Sequence, residues 1–295
     1  MDLEHSAIER IKMASEMSLT YYGQPLIITT SGGKDSDICL ELARRAGIPY
    51  EVMHNLTTAD APQTVYHVRE QFRELELAGI KCSVNHPVYR GERTSLWKLI
   101  EIKMYPPARL ARYCCDVLKE RGGRDRMITT GVRWAESTSR KNKRGIYETM
   151  PSDVKKKIIL NNDNDDARQL FENCRIKAKR VCNPIINWED RDVWDFIRSE
   201  HLKVNPLYDM GFDRVGCIGC PMADKKRYFE FRMFPAYERM WRRAFARMLE
   251  ARKAAGKVND TWSTVDDVWH WWMEEDPNQM TFDELAETES GEDDP

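Results

Sequence analysis

Apolar positions along this chain switch repeatedly between helical and strand-like spacing. Leu3, Ala7, Ile8, Ile11 and Ala14 fall on one helical face and predict an N-terminal helix over residues 3 to about 20. The run Leu26-Ile27-Ile28-Thr29-Thr30 is short and β-branched, as in a buried strand, and residues 37–46 return to helical spacing. Residues 48–55 predict a second strand, ending in the polar turn Thr57-Thr58-Ala59-Asp60. Val65, Val68, Phe72, Leu75 and Leu77 then mark a helix, and a third strand is expected around 80–84.

Further on, a helix over 95–104 is stopped by Tyr105-Pro106-Pro107. A core strand over 127–132 delivers residues 133–140 to the same sheet edge. From 141 to about 168 the chain is rich in Lys, Asn and Asp and reads as a long polar excursion. Order returns over 181–188, followed by a helix over 189–199 and a turn at Asn205-Pro206-Leu207-Tyr208. One long helix is expected from 227 to 253, and a last segment carries Trp262, Trp269, Trp271 and Trp272. Alternation of this kind predicts an α/β protein with a doubly wound, mostly parallel sheet that gathers ligands at the carboxyl ends of its strands. The expected division is an N-terminal helix (1–24), a nucleotide-binding α/β domain (25–200), a helical, cysteine-bearing region (201–282) and an acidic disordered tail (283–295).

The 295 residues suffice for a substantial core, and 41% hydrophobic with 32% charged content is that of a globular chain. No apolar run approaches the ~20 residues of a membrane helix, and the first ten residues lack a signal-peptide pattern. A cytoplasmic protein without membrane contact is the expectation. Its eight cysteines then point to reduced thiols or metal ligands rather than a disulfide framework. The net charge of −2 hides seven acids and no base in 283–295, so the remainder carries +5. A mildly basic body allows a phosphate-rich ligand or nucleic acid without requiring either.

Ser31-Gly32-Gly33-Lys34-Asp35-Ser36 joins the first strand to the next helix. Such a loop makes a concave set of backbone N–H donors at a positive helix end, a cradle for phosphate. Gly32 and Gly33 permit close approach, Ser31 and Ser36 add hydroxyls, and Lys34 adds a point charge. Asp35 suits either magnesium or a helix cap. The spacing is not that of a Walker loop. It resembles the signature of the PP-loop, or ATP pyrophosphatase, families, whose members cleave ATP between the α- and β-phosphates and usually adenylate a substrate.

Cys217-Ile218-Gly219-Cys220 could direct two thiolates at one metal, and the adjacent Cys114 and Cys115 supply a second pair. Four thiolates would satisfy zinc or a 4Fe-4S cluster, although neighbouring cysteines share a site only on an unusual local backbone. Cys39, Cys82 and Cys174 read as core or incidental, and Cys182 as packing, with a reactive thiol as its other reading.

The order of motifs is specific. An intact loop, Cys-Cys, Gly131-Val132-Arg133 with Glu136-Ser137 and Arg140, then Asn183-Pro184-Ile185 with a helix containing Asp192-Val193-Trp194, then Cys-x-x-Cys-Pro resembles the phosphoadenosine phosphosulfate (PAPS) reductase family over residues 25–235. The resemblance implies ATP with magnesium bound by residues 31–36, Thr57, Gly131 and Arg133. Lys34, Asp35, Arg133 and Arg140 would serve catalysis, the arginines clamping phosphate or sulfate oxygens. From the iron-sulfur adenylylsulfate reductases of that family, it implies a 4Fe-4S cluster on Cys114, Cys115, Cys217 and Cys220, with zinc as the lesser occupant.

Two departures matter. The reductases attack sulfur with a mobile C-terminal cysteine, and none follows Cys220 here. Their loop is also altered, whereas this one is whole. Both favour an ATP-using enzyme of sulfur metabolism that adenylates a small-molecule or nucleic-acid acceptor for sulfur transfer, as do relatives in DNA phosphorothioation and tRNA thiolation. It would draw on a sulfur- or electron-donor protein, with a homo-oligomer left open. The alternatives are a sulfite-forming adenylylsulfate or PAPS reductase, and a nucleic-acid-binding regulatory module using the basic aromatic helix 227–253.

Overall fold

The computed structural model describes residues 2–150, 158–160, 179–257 and 261–273. In chain order its elements begin with α1 (Leu3–Tyr22), β1 (Leu26–Thr30), α2 (Lys34–Ala46), β2 (Tyr50–Asn55), α3 (Pro62–Leu77) and β3 (Cys82–Asn85). A hairpin of β4 (Val88–Tyr89) and β5 (Glu92–Arg93), α4 (Leu96–Lys103) and the single turn α5 (Tyr113–Cys115) follow. Next come β6 (Met127–Thr129), α6 (Thr138–Lys143), β7 (Tyr147–Met150), β8 (Ile158–Leu160) and β9 (Lys179–Cys182). The described chain closes with α7 (Asp190–Ser199), α8 (Lys226–Met233), α9 (Pro235–Ala254) and α10 (Val265–Met273).

These elements form two compact units that interleave along the chain. The first comprises Met1–Asn55, Pro62–Asn85 and Gly122–Val215, the second Leu56–Ala61, His86–Arg121 and Gly216–Pro295. A linear division at residue 200 has no such exchange of segments.

The first unit carries a seven-stranded sheet in the order β3-β2-β1-β6-β9-β7-β8. The pairs β3/β2, β2/β1, β1/β6 and β6/β9 are parallel, and β7 runs antiparallel to both β9 and β8. This is the doubly wound, mostly parallel α/β fold that the alternating pattern predicts. Strand alternation sends Leu26 and Ile28 into the main core with Ala7, Ile11 and Ala14 of α1 and Ile38 and Leu42 of α2. Ile27 faces the other side, with Met53, Ile128 and Val181. Chain order reverses between β1 and β6, the place where open α/β sheets form a crevice at their carboxyl ends.

Two expectations fail locally. Residues 144–150 are not part of a surface excursion, because β7 lies inside the sheet with Ile146, Tyr147 and Glu148 buried. Glu148 takes hydrogen bonds from Arg144 and Asn183, which is how a carboxylate is held there. Of the expected excursion, 151–157 and 161–168 lie outside the described residues, as do Cys174 and the acidic tail.

The second failure is the single long helix over 227–253, which is two helices parted at Phe234 with Pro235 opening the second. In the second unit α9 and α10 build an aromatic core in which Trp241 and Trp272 stack at 4.5 Å and Phe245 meets Trp272 at 5.3 Å. Phe231, Trp241 and Arg227 are buried there, and Arg227 donates to the Trp272 carbonyl at 2.8 Å. These side chains are occupied in packing, which removes them from the nucleic-acid surface that the basic helix suggested. No described helix is long and apolar enough to cross a membrane.

Candidate functional site

The six-residue loop closes on itself between β1 and α2, inside the first unit. Gly32 adopts φ +70°, and a Cβ there would meet the Thr64 methyl at 2.9 Å, so both backbone and space demand glycine. Gly33 caps α2 in extended backbone. The serines staple the turn: Ser36 Oγ donates to the Gly33 carbonyl at 2.7 Å and accepts the Ser31 N–H at 3.2 Å. Ser36 therefore spends its proton on the loop itself, while the N-terminal amides of α2 supply the anion-attracting end.

Sidewalls fix the charged members. Asp35 accepts from Arg133 Nε at 2.6 Å and pairs with Lys34 Nζ at 3.2 Å. Arg133 is 1% exposed, and its other donors go to Asp190 at 2.6 Å and the Trp188 carbonyl at 3.1 Å. Each of its three nitrogens thus makes a protein contact, the Nε one holding Asp35. Asp35, in turn, could meet magnesium only by giving up one of these cations. Gly131 allows this close approach, since a Cβ on it would lie 2.7 Å from the Asp35 backbone. Arg140 sits on α6, half exposed, in an ion pair with Glu136.

The second unit gathers the other set. Cys114, Cys115, Cys217 and Cys220 line one pocket, with Leu96, Pro107, Leu118, Pro221 and Trp241 as its apolar walls and Lys119 as its cation. Cys114 and Cys115 themselves stand on an ordinary α-helical turn, Tyr113–Cys115, and the departure from regular backbone comes directly after them as a π-helix, Asp116–Glu120. Such widened turns redirect side chains and recur at functional sites.

The Cys114 thiol donates to the Cys115 sulfur, which pulls Cys115 down to about 5 and pushes Cys114 far up. Lys119 and Arg112 reinforce the Cys115 thiolate, Arg112 from 3.4 Å. Burial pushes Cys217 up to about 11, against the pull of Lys119. The ammonium of Lys119 is held in its charged form above all by Cys217, with Cys220, Cys115 and Asp60 adding to it.

Thr57 belongs to this second constellation. Its hydroxyl hydrogen-bonds Cys217, and its N–H donates to Asp60 Oδ2 at 3.2 Å. Asp60 forms a β-bridge with Cys217, and Ile218 N–H donates to the Ala59 carbonyl at 2.8 Å. The turn expected to touch nucleotide thus fixes the Cys-x-x-Cys loop.

Among the described residues no group of three or more His, Cys, Asp or Glu is arranged to hold a single metal ion. Zinc would need its four sulfurs converging at ~2.3 Å on one point.

Sequence reasoning missed Lys119, Asp190, Asn205 and Tyr208. Lys119 had a usable signal, since it follows Cys115 by four residues and lies on the same helical face. Asp190 had none, because its partner Arg133 lies 57 positions away.

A mostly parallel sheet reversing at β1/β6, with a glycine-serine loop opening α2, defines a doubly wound α/β protein with a crevice at the carboxyl ends of its strands. Residues 25–223 match the model of the phosphoadenosine phosphosulfate reductase domain, and the chain belongs to that family. It is 25% identical over 203 residues to an adenosine 5'-phosphosulfate reductase of Allochromatium vinosum, covering 67% of this chain and 68% of that one. The corresponding reductase of Geobacillus kaustophilus is 22% identical over 204 residues, covering 68% and 74%.

An uncharacterized protein of Methanocaldococcus jannaschii is 27% identical over 230 residues, 74% of this chain and 41% of that one. The match spans less than half the length of that relative and of a second from the same organism, of which it covers 45%. Among solved structures, a PAPS reductase of Candida auris aligns with TM-score 0.46 and 16% identity, over 72% of this chain and 88% of that one.

Proposed function

We propose that this member of the PAPS reductase family uses ATP to adenylate an acceptor oxygen, releasing pyrophosphate, in preparation for sulfur transfer. The observation that carries the reading is the intact Ser31–Ser36 loop, stapled by its own serines and opening α2 with Lys34 held beside Asp35. The acceptor oxygen attacks the α-phosphorus, and the bond from that phosphorus to the bridging oxygen breaks. Pyrophosphate leaves with the electron pair, and the acceptor's proton passes to solvent. A sulfur nucleophile then displaces AMP from the adenylated carbon or phosphorus centre.

In that sequence the positive end of α2 and the Lys34 ammonium hold the pyrophosphate and neutralise its growing charge. Arg133 keeps Asp35, and through it Lys34, in place. Magnesium arrives with the ATP. Cys114, Cys115, Cys217 and Cys220 would hold a 4Fe-4S cluster, which supplies electrostatic or redox tuning of sulfur chemistry.

The second reading, sulfite formation from an adenylylated sulfate, has the relatives' names in its favour. Its attacking thiol would come from Cys182 or from a partner protein, and Cys182 is fully buried against the Arg10 carbonyl on α1, which leaves the partner. Assays of pyrophosphate release from ATP and of sulfite release from adenylylsulfate, run side by side on anaerobically prepared protein, separate the two. Pyrophosphate release that depends on an added acceptor is the expected outcome. Sulfite release without ATP consumption would replace the proposal with the reductase.

A further inference from the structure

The Asn205-Pro206-Leu207-Tyr208 turn does more than reverse the chain. Asn205 is fully buried and donates through Nδ2 to the Gly32 carbonyl at 2.8 Å and to Thr64 Oγ1 at 3.1 Å. It thereby ties the turn to the positive-φ corner of the phosphate loop. Three residues later the Tyr208 hydroxyl accepts the Lys34 N–H at 3.0 Å, directly at the N-terminus of α2.

The same hydroxyl stands 3.4 Å from where a Cβ on Gly33 would be, so it overhangs the open face of the loop. Trp194 braces the ring edge-on at 5.4 Å, and Lys34 Nζ lies 5.7 Å from its centre.

A phenol that accepts an N–H still has its own proton to give. Among the described residues nothing takes it. Burial raises the Tyr208 phenol above the usual tyrosine range, so it remains a neutral donor at physiological pH. It is rigidly held, sits at a helix N-terminus and carries an unspent donor.

We propose that Tyr208 is a ligand-contacting residue of the loop, its hydroxyl accepting the Lys34 N–H and donating its proton to a phosphate oxygen of the anion seated there. This rests on the reading of the loop as a seat for the β- and γ-phosphates. It adds a recognition element that lies 174 positions from Lys34 in sequence.

Calorimetric titration of inorganic pyrophosphate and of AMP into the full chain and its Tyr208→Phe variant tests the assignment. A hydrogen bond to a charged oxygen predicts that Tyr208→Phe weakens pyrophosphate roughly tenfold, while AMP, which lacks the β- and γ-phosphates, binds both proteins alike. Equal affinity for pyrophosphate would overturn the assignment. Tighter binding by the Phe variant would also overturn it, making the phenol a plug that competes for the seat. Wild-type protein that binds no pyrophosphate would sink the underlying nucleotide reading, and the assignment with it. Should the Phe variant fail to fold, 3-fluorotyrosine placed at position 208 reads the hydroxyl directly. Its fluorine resonance shifts on adding pyrophosphate if the contact exists and stays fixed if it does not.

Discussion

The Ser31–Ser36 loop and the cysteine pocket gather their polar groups by opposite means. The loop uses backbone: six consecutive residues, two glycines and the end of one helix, with side chains mostly employed in bracing. The pocket uses side chains: thiols from two distant segments, a lysine, and Thr57 and Asp60 brought in from a third. The loop's frame is contiguous in sequence, although Arg133, Asn205 and Tyr208 brace it from a distance. Side-chain sites depend on every segment that contributes.

The sharpest separation of the two is Cys220→Ser. In anaerobically prepared protein it should abolish iron and the broad absorption at about 400 nm typical of thiolate-bound clusters, yet leave pyrophosphate binding within about twofold. Loss of both together would break the distinction. Gly33→Asp is the converse. Gly33 is extended and a Cβ there meets nothing closer than 3.4 Å, so the chain should fold, but a carboxylate at the anion seat should cut pyrophosphate affinity about a hundredfold. Iron content should be unchanged.

A smaller effect concerns the vicinal thiols. In reduced, metal-free protein Cys115, with its pKa held to about 5, is a thiolate at pH 6, where an ordinary cysteine is almost wholly protonated. Lowered nucleophilicity offsets part of that gain. Iodoacetamide should therefore modify it about tenfold faster than a free cysteine at pH 6, its own rate falling as pH drops through about 5 and its advantage vanishing above about pH 8. A rate that rises only above pH 8 would mean that neither the Cys114 hydrogen bond nor the Lys119 and Arg112 charges lower Cys115.

Last and smallest is the arginine pair. Arg133→Met, which strips a buried guanidinium from two carboxylates, should cost about 2 kcal/mol in urea unfolding, discounted because Asp190 is largely exposed. Arg140→Ala, at a half-exposed pair, should cost no more than about 0.5 kcal/mol and leave pyrophosphate affinity unaltered. Unchanged stability in Arg133→Met would return that side chain to the role of a free clamp.

Legibility followed the same divide. The β1–loop–α2 passage could be read directly because its chemistry is contiguous, and helix ends were marked by Ser95, Pro107 and Glu189. Strand β7 escaped notice because Glu148, at its centre, is neutralised by Arg144 and Asn183, partners that a hydropathy pattern does not register. Pro235 was a visible break in the long helix and was outweighed by the apolar periodicity on either side. What the donors of Thr57 and Arg133 meet, Cys217 and Asp35, is visible only in the folded chain. Tyr208 looked like an ordinary turn residue for the same reason.

The exchange of segments between the two units also orders events during synthesis. Every piece of the first unit has left the ribosome once Val215 emerges, whereas Cys217 and Cys220 come only afterwards. A nascent chain can thus complete its sheet while Cys114 and Cys115 wait without their counterparts. The thiol set of the pocket is thus completed late, and a fragment ending at Val215 would hold two of its four thiols and none of α8, α9 and α10.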